Sequence, residues 1–185
     1  MRWDGLFDDL EAQAAALDVA SRAGEVDERT RGEIGELTWH DRARAGLGGT
    51  VRLRIAGGVT LSGELLRVGP DWLLVGEAPD REVVVVTAAV LGVRGLGRYS
   101  AVPGTESVIT ARLGLRHALR GIARDRSVVR LHLLDGSTLD VTLDRVGADF
   151  VEAAVHAPGE ARRRSEVREV ELVPLAALAA VRRSV

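Results

Sequence analysis

His40, His117, His132 and His156 are the side chains of this 185-residue chain best suited to moving a proton or holding a metal near neutral pH. None has a second histidine at ligand spacing with a carboxylate beside it, so each reads as a surface or structural residue and no metal site is expected. The chain contains no cysteine, which removes thiol catalysis, cysteine-ligated zinc and disulfides together. Gly92, Gly95 and Gly97 stand close together, but no βαβ unit surrounds them, and a dinucleotide loop is not expected. Neither a G-x-S-x-G elbow nor a phosphate-binding P-loop occurs. With no nucleophile–base pair to assemble, the expectation is a chain without catalytic activity and without a cofactor.

The remaining chemistry is electrostatic. Arg112, Arg116, Arg120 and Arg124 recur every four residues, which on a helix lines them along one face. Such a stripe can track phosphates of single-stranded RNA or DNA, with an affinity that falls as salt rises. It can equally be solvated, or paired with an acidic segment of the same chain. Arg162, Arg163 and Arg164 form a second candidate, although Glu160, Glu166 and Glu169 flank them.

Those arginines need elements to hold them, and the sequence supplies the elements twice. Residues 49–75 and 127–153 align without a gap at an offset of 78. Val51, Leu53, Ile55, Gly58, Leu61, Leu65, Arg67, Val68, Gly69, Asp71 and Trp72 fall on Val129, Leu131, Leu133, Gly136, Leu139, Leu143, Arg145, Val146, Gly147, Asp149 and Phe150. Alternating apolar residues at 51, 53, 55 and at 129, 131, 133 predict strands with one buried face. Gly57-Gly58 and Asp135-Gly136 supply the following hairpin turns, and Trp72 or Phe150 opens a third strand as a core aromatic. Glu82–Val86, Ala89–Val93, Glu169–Val173 and Ala177–Val181 complete five strands per copy. A longer loop in the second copy raises the offset by about ten residues, an insertion loops absorb at little cost.

A helix is expected before each set of strands. Between 103 and 127, Val108, Ala111, Leu115, Ala118, Leu119 and Ile122 share a helical face, with Thr105 as the N-cap. The counterpart before Val51 carries Leu37 and Trp39. An additional acidic helix is expected at the N-terminus, where Trp3, Phe7, Leu10, Ala14 and Leu17 alternate spacings of four and three as in a coiled-coil seam. The organisation that follows is an N-terminal helical segment (1–45), a first small β-barrel (46–100), a linker helix (101–126) and a second barrel (127–185).

Composition is that of an ordinary globular protein, 28% charged and 46% hydrophobic. All 25 basic residues are arginine, which reads as codon bias of a GC-rich genome. The net charge of −2 is unevenly spread. Residues 1–41 are acidic, and residues 92–130 carry eight arginines against only Glu106 and Asp125. No stretch reaches the roughly 18 apolar residues of a membrane span, and the acidic start is unlike a signal peptide, so a cytoplasmic location is expected.

The pattern of a helix, a strand ending in glycine, a strand with G-x-L, a turn and a final strand of type A-[V/L]-x-x-V resembles the Sm-like family. Gly58, Gly63-Glu64-Leu65 and Ala89-Val90-Leu91-Gly92-Val93 carry it in the first copy, Gly136 and Ala177-Leu178-Ala179-Ala180-Val181 in the second, which has Val141 in place of the second glycine. The resemblance spans about 130 residues. It implies mainly β structure in two tandem bent five-stranded barrels, often ring-forming and usually binding single-stranded RNA without catalysis. The base-contacting Asp-x-x-x-Asn turn of the family is replaced by Gly69-Pro70-Asp71-Trp72. The Lys-His pair of its bacterial branch is replaced by Thr87-Ala88 and Leu175-Ala176. Two functions therefore stand side by side: a nucleic-acid-associated regulator, and a protein-interaction scaffold or homo-oligomer using the acidic helix and the barrel surfaces.

Overall fold

In a computed structural model, residue 35 and residues 37–79, 81–101, 113–156 and 169–184 are described. The N-terminal acidic helix, the Thr105 cap, Arg112 and the loop carrying Arg162, Arg163 and Arg164 lie outside them. The described strands and helices all belong to one unit, Trp39–Val185.

Ten strands form a single open antiparallel sheet. The first repeat supplies β1 (Thr50–Ile55), β2 (Thr60–Val68), β3 (Trp72–Ala78), β4 (Arg81–Val86) and β5 (Val90–Arg94). The second supplies β6 (Val128–Leu133), β7 (Thr138–Val146), β8 (Phe150–Val155), β9 (Glu169–Pro174) and β10 (Leu178–Arg183). Alternation decides the faces: in β1, Val51, Leu53 and Ile55 are buried while Thr50, Arg52 and Arg54 are exposed.

The two repeats are wired identically. Thr50 pairs with Glu64 and Arg54 with Thr60, and 78 residues on Val128 pairs with Thr142 and His132 with Thr138. A bulge falls between Leu65 and Arg67 in β2 and between Leu143 and Arg145 at the same place in β7. The last strand of each repeat returns beside the first, β5 on β1 and β10 on β6, with Arg52 opposite Arg94 and Arg130 opposite Arg182.

The expected pair of closed five-stranded barrels is corrected by the strand order, β5-β1-β2-β3-β4-β10-β6-β7-β8-β9. Closure would require the first and last strands of each order to pair with each other. Instead the outer edge of β4 hydrogen-bonds across to β10 of the other repeat, with Ala180 opposite Val85, Val181 opposite Val84 and Arg182 opposite Val83. Those backbone groups are then satisfied between repeats, so closure within a repeat gains no further hydrogen bonds there. One core cluster accordingly draws on both halves, from Val51 and Leu53 to Leu131 and Val181.

The joint is reinforced on both sides. Arg182 of β10 donates to the Glu77 carboxylate of β3, 3.0 Å away. The hairpin turns also touch: a Cβ on Gly57, whose φ is +78°, would lie 2.7 Å from the Leu133 carbonyl oxygen. Glycine therefore satisfies both the left-handed backbone and the close approach.

Helix α1 (Trp39–Ala45) packs on β2, and α2 (Leu115–Asp125) on β7. Leu115 and Leu119 bury the inner face of α2, with Ile122 and Ala123 packed against the core.

Candidate interaction surfaces

Of the arginines singled out by their spacing, the structure places Arg116, Arg120 and Arg124 on the exposed face of α2. None of the three makes an ion pair among the described residues. Residues 113 and 114 are not helical, so the helix starts after them, and Arg112 lies outside the described residues. The start is fixed by the other repeat. The Asp71 carboxylate accepts the backbone N–H of Leu115 at 2.7 Å, capping an orphan donor of the first turn. Trp72 donates its indole N–H to the Leu113 carbonyl at 2.7 Å. Trp72 is partly buried against the core, and its one polar atom is used inside the chain. A groove of 310 Å³ between α2 and the sheet is lined in part by Trp72, Leu74, Val84, Ile122, Val129 and Val181.

The histidines are dispersed. His40 sits against the Trp39 ring and within 3.2 Å of the Thr87 hydroxyl, and His156 lies 2.8 Å from the Thr142 hydroxyl. His132 is buried on β6 with neither ring nitrogen hydrogen-bonded. Burial, with Arg182 and Arg130 nearby, holds its pKa below the ordinary histidine value. Among the described residues no three His, Asp or Glu side chains gather as a metal site.

A second basic cluster appears where the charge stripe did not point. Arg52, Arg54 and Arg94 share the outer face of β1 and β5 and line a shallow hollow with Thr60 and Gly92. Repeat symmetry explains why this charge is uncompensated. In the second repeat Arg130 grips Asp140 with two hydrogen bonds of 2.8 Å, but the residue equivalent to Asp140 in the first is Ser62, which receives only a 3.2 Å bond from Arg52. Strand alternation places Arg52 and Arg54 on one face from sequence alone. Bringing Arg94 beside them requires the β1–β5 register.

Among the described residues the sheet ends in two unpaired edges, β5 and β9. Leu91 of β5 is 60% exposed, and Val170 and Leu172 of β9 are each 57% exposed. The repeat counterparts of Leu91 and Leu172 at the internal joint are covered: Ala179 is 0% and Val84 is 8% exposed.

No family model and no curated protein matches this chain. Among the described residues no helix is long and apolar enough to cross a membrane.

Proposed function

We propose that this chain is a non-catalytic protein-interaction scaffold that docks partners along the free edges of its sheet. The observation that carries the reading is the exposure of Leu91, Val170 and Leu172 on two strands whose outer backbone groups have no neighbour in the sheet among the described residues. Native edge strands are commonly blunted by charge, proline or a covering loop, and apolar side chains left on an open edge suit strand addition by a partner. The cysteine-free composition fits a reducing compartment, and the cytoplasm is the location this reading carries.

The test is a photoreactive phenylalanine placed at position 91 or 172 of the full chain, cross-linked in the cells that make it. Protein adducts at 91 and 172, absent when the probe stands at exposed Arg116, are expected. Adducts removed by nuclease, or none at either edge position, would overturn the reading.

A second reading has its own support in the exposed, unpaired Arg116, Arg120 and Arg124. A nucleic-acid-associated role, the one the Sm-like resemblance implies, would use this stripe. Replacing the three by Gln keeps helix propensity almost unchanged, so a loss of single-strand affinity and of its salt dependence would favour that role. Equal affinities and slopes would remove it.

A further inference from the structure

We infer that Arg52, Arg54 and Arg94 form a binding site for the carboxylates of an acidic peptide segment, laid over the outer face of β1 and β5. The site is made by side chains on the face of the sheet and uses none of its edge backbone, so it stands apart from the edge-docking reading.

The second repeat shows what these positions hold. Its counterpart of the Arg52 and Arg94 pair is Arg130 opposite Arg182, and both of those arginines carry a carboxylate. Asp140 accepts two 2.8 Å hydrogen bonds from Arg130, and Glu77 accepts one of 3.0 Å from Arg182. The third position holds His132, buried and with its pKa below the ordinary histidine value. Charge there balances. In the first repeat Ser62 stands where Asp140 does, and Arg54 where His132 does. The three arginines make no ion pair among the described residues, and Glu64, on the same face opposite Thr50, is bonded to none of them.

Left alone, that arrangement costs free energy, because like charges directly opposite on antiparallel strands repel and Arg52 faces Arg94. The surroundings give little relief. Arg52 donates to the Ser62 hydroxyl at 3.2 Å, and Arg54, whose guanidinium lies over Gly92, reaches the Leu91 carbonyl only at 3.5 Å. The three side chains instead line a hollow of 340 Å³ with Thr60, Gly92 and Val93. Guanidinium forks take a carboxylate through paired N–H···O bonds, as Arg130 already does with Asp140. A carboxylate arriving on Arg52 reproduces that bond, and a second one between Arg54 and Arg94 removes the remaining repulsion. Phosphate fits the same forks, but carboxylate is the group the fold already places on this pair. The hollow is shallow and open, which suits a chain lying across it better than a small molecule that needs enclosure.

Fluorescence anisotropy of the full chain with a labelled peptide of alternating Glu and Ser tests this, beside the same peptide with Gln for Glu and a single-stranded oligonucleotide of equal charge. The Glu peptide is expected to bind, more weakly as salt rises, and the Gln peptide to bind about tenfold more weakly still. Ser62→Asp gives Arg52 the internal partner that Arg130 has. It should lower affinity for the Glu peptide about tenfold while raising the melting temperature, which a misfolded variant would not do. Replacing Arg116, Arg120 and Arg124 by Gln should leave peptide affinity unchanged. No binding of the Glu peptide up to about 1 mM, or a Ser62→Asp variant that binds it as well as wild type, would overturn the inference. So would an oligonucleotide that binds more tightly than the peptide and loses that affinity in Ser62→Asp, because the site would then take phosphates. Failure here leaves the edge reading untouched, since its cross-links are scored at positions 91 and 172 without the peptide.

Discussion

The Asp71 carboxylate, in the turn before β3 of the first repeat, caps the N-terminus of α2 in the second through the Leu115 N–H at 2.7 Å. With the Trp72 indole bonded to the Leu113 carbonyl, one turn of the first repeat sets where the helix of the second begins. Asp71→Ala is expected to cost about 1 kcal/mol, the usual value of a helix cap, and Trp72→Phe a similar amount through the lost hydrogen bond and its exposed carbonyl. Chemical denaturation reads both. The two losses should fall short of additive in the double variant, because the two bonds hold one segment. Strict additivity would mean that the two anchors act independently.

Arg126 ends α2 with φ of +54°, the one non-glycine residue with positive φ among the described residues. Its repeat equivalent is Gly48, at φ +77°. Arg126→Gly should therefore stabilise the protein by about 0.5–1 kcal/mol, relieving left-handed strain that outweighs the contacts of the exposed arginine, a 3.4 Å ion pair to Asp144 among them. A melting temperature unchanged or lowered would show that the arginine's contacts outweigh the strain.

His132 should make stability depend on pH. It is surrounded by Arg182 and Arg130, with Asp140 as the counter-charge, and its pKa is lowered chiefly by burial. The unfolded chain takes up the proton at a higher pH than the folded one. Stability from the neutral ring is thus fully present above the ordinary histidine pKa and declines as pH falls below about 6.5. Denaturation midpoints of wild type and His132→Leu should diverge between pH 7 and pH 5, with the variant flatter. Parallel curves would remove the histidine as the cause.

Much of this arrangement is legible in the sequence, and the limits have physical causes. Alternation at 51, 53, 55 and at 129, 131, 133 locates β1 and β6 with their buried faces, and the 78-residue offset anticipates registers that match pair for pair. What alternation cannot carry is the neighbour on each edge. A strand's side-chain period reports which face is buried, while the β4–β10 pairing joins residues about a hundred positions apart through backbone groups common to every residue. That is why two closed barrels were expected where one open sheet is found. The Arg52, Arg54 and Arg94 cluster escaped for a related reason, since sequence proximity collects the α2 arginines but not residues brought together by strand return.

The two free edges are read most directly by backbone hydrogen exchange of the full chain, strand by strand. The outward amides of β5 and β9 are expected to exchange rapidly, while those of β4 and β10, joined to each other within the chain, are protected. Outward amides of β5 and β9 as well protected as those of the β4–β10 joint would contradict the reading of open edges.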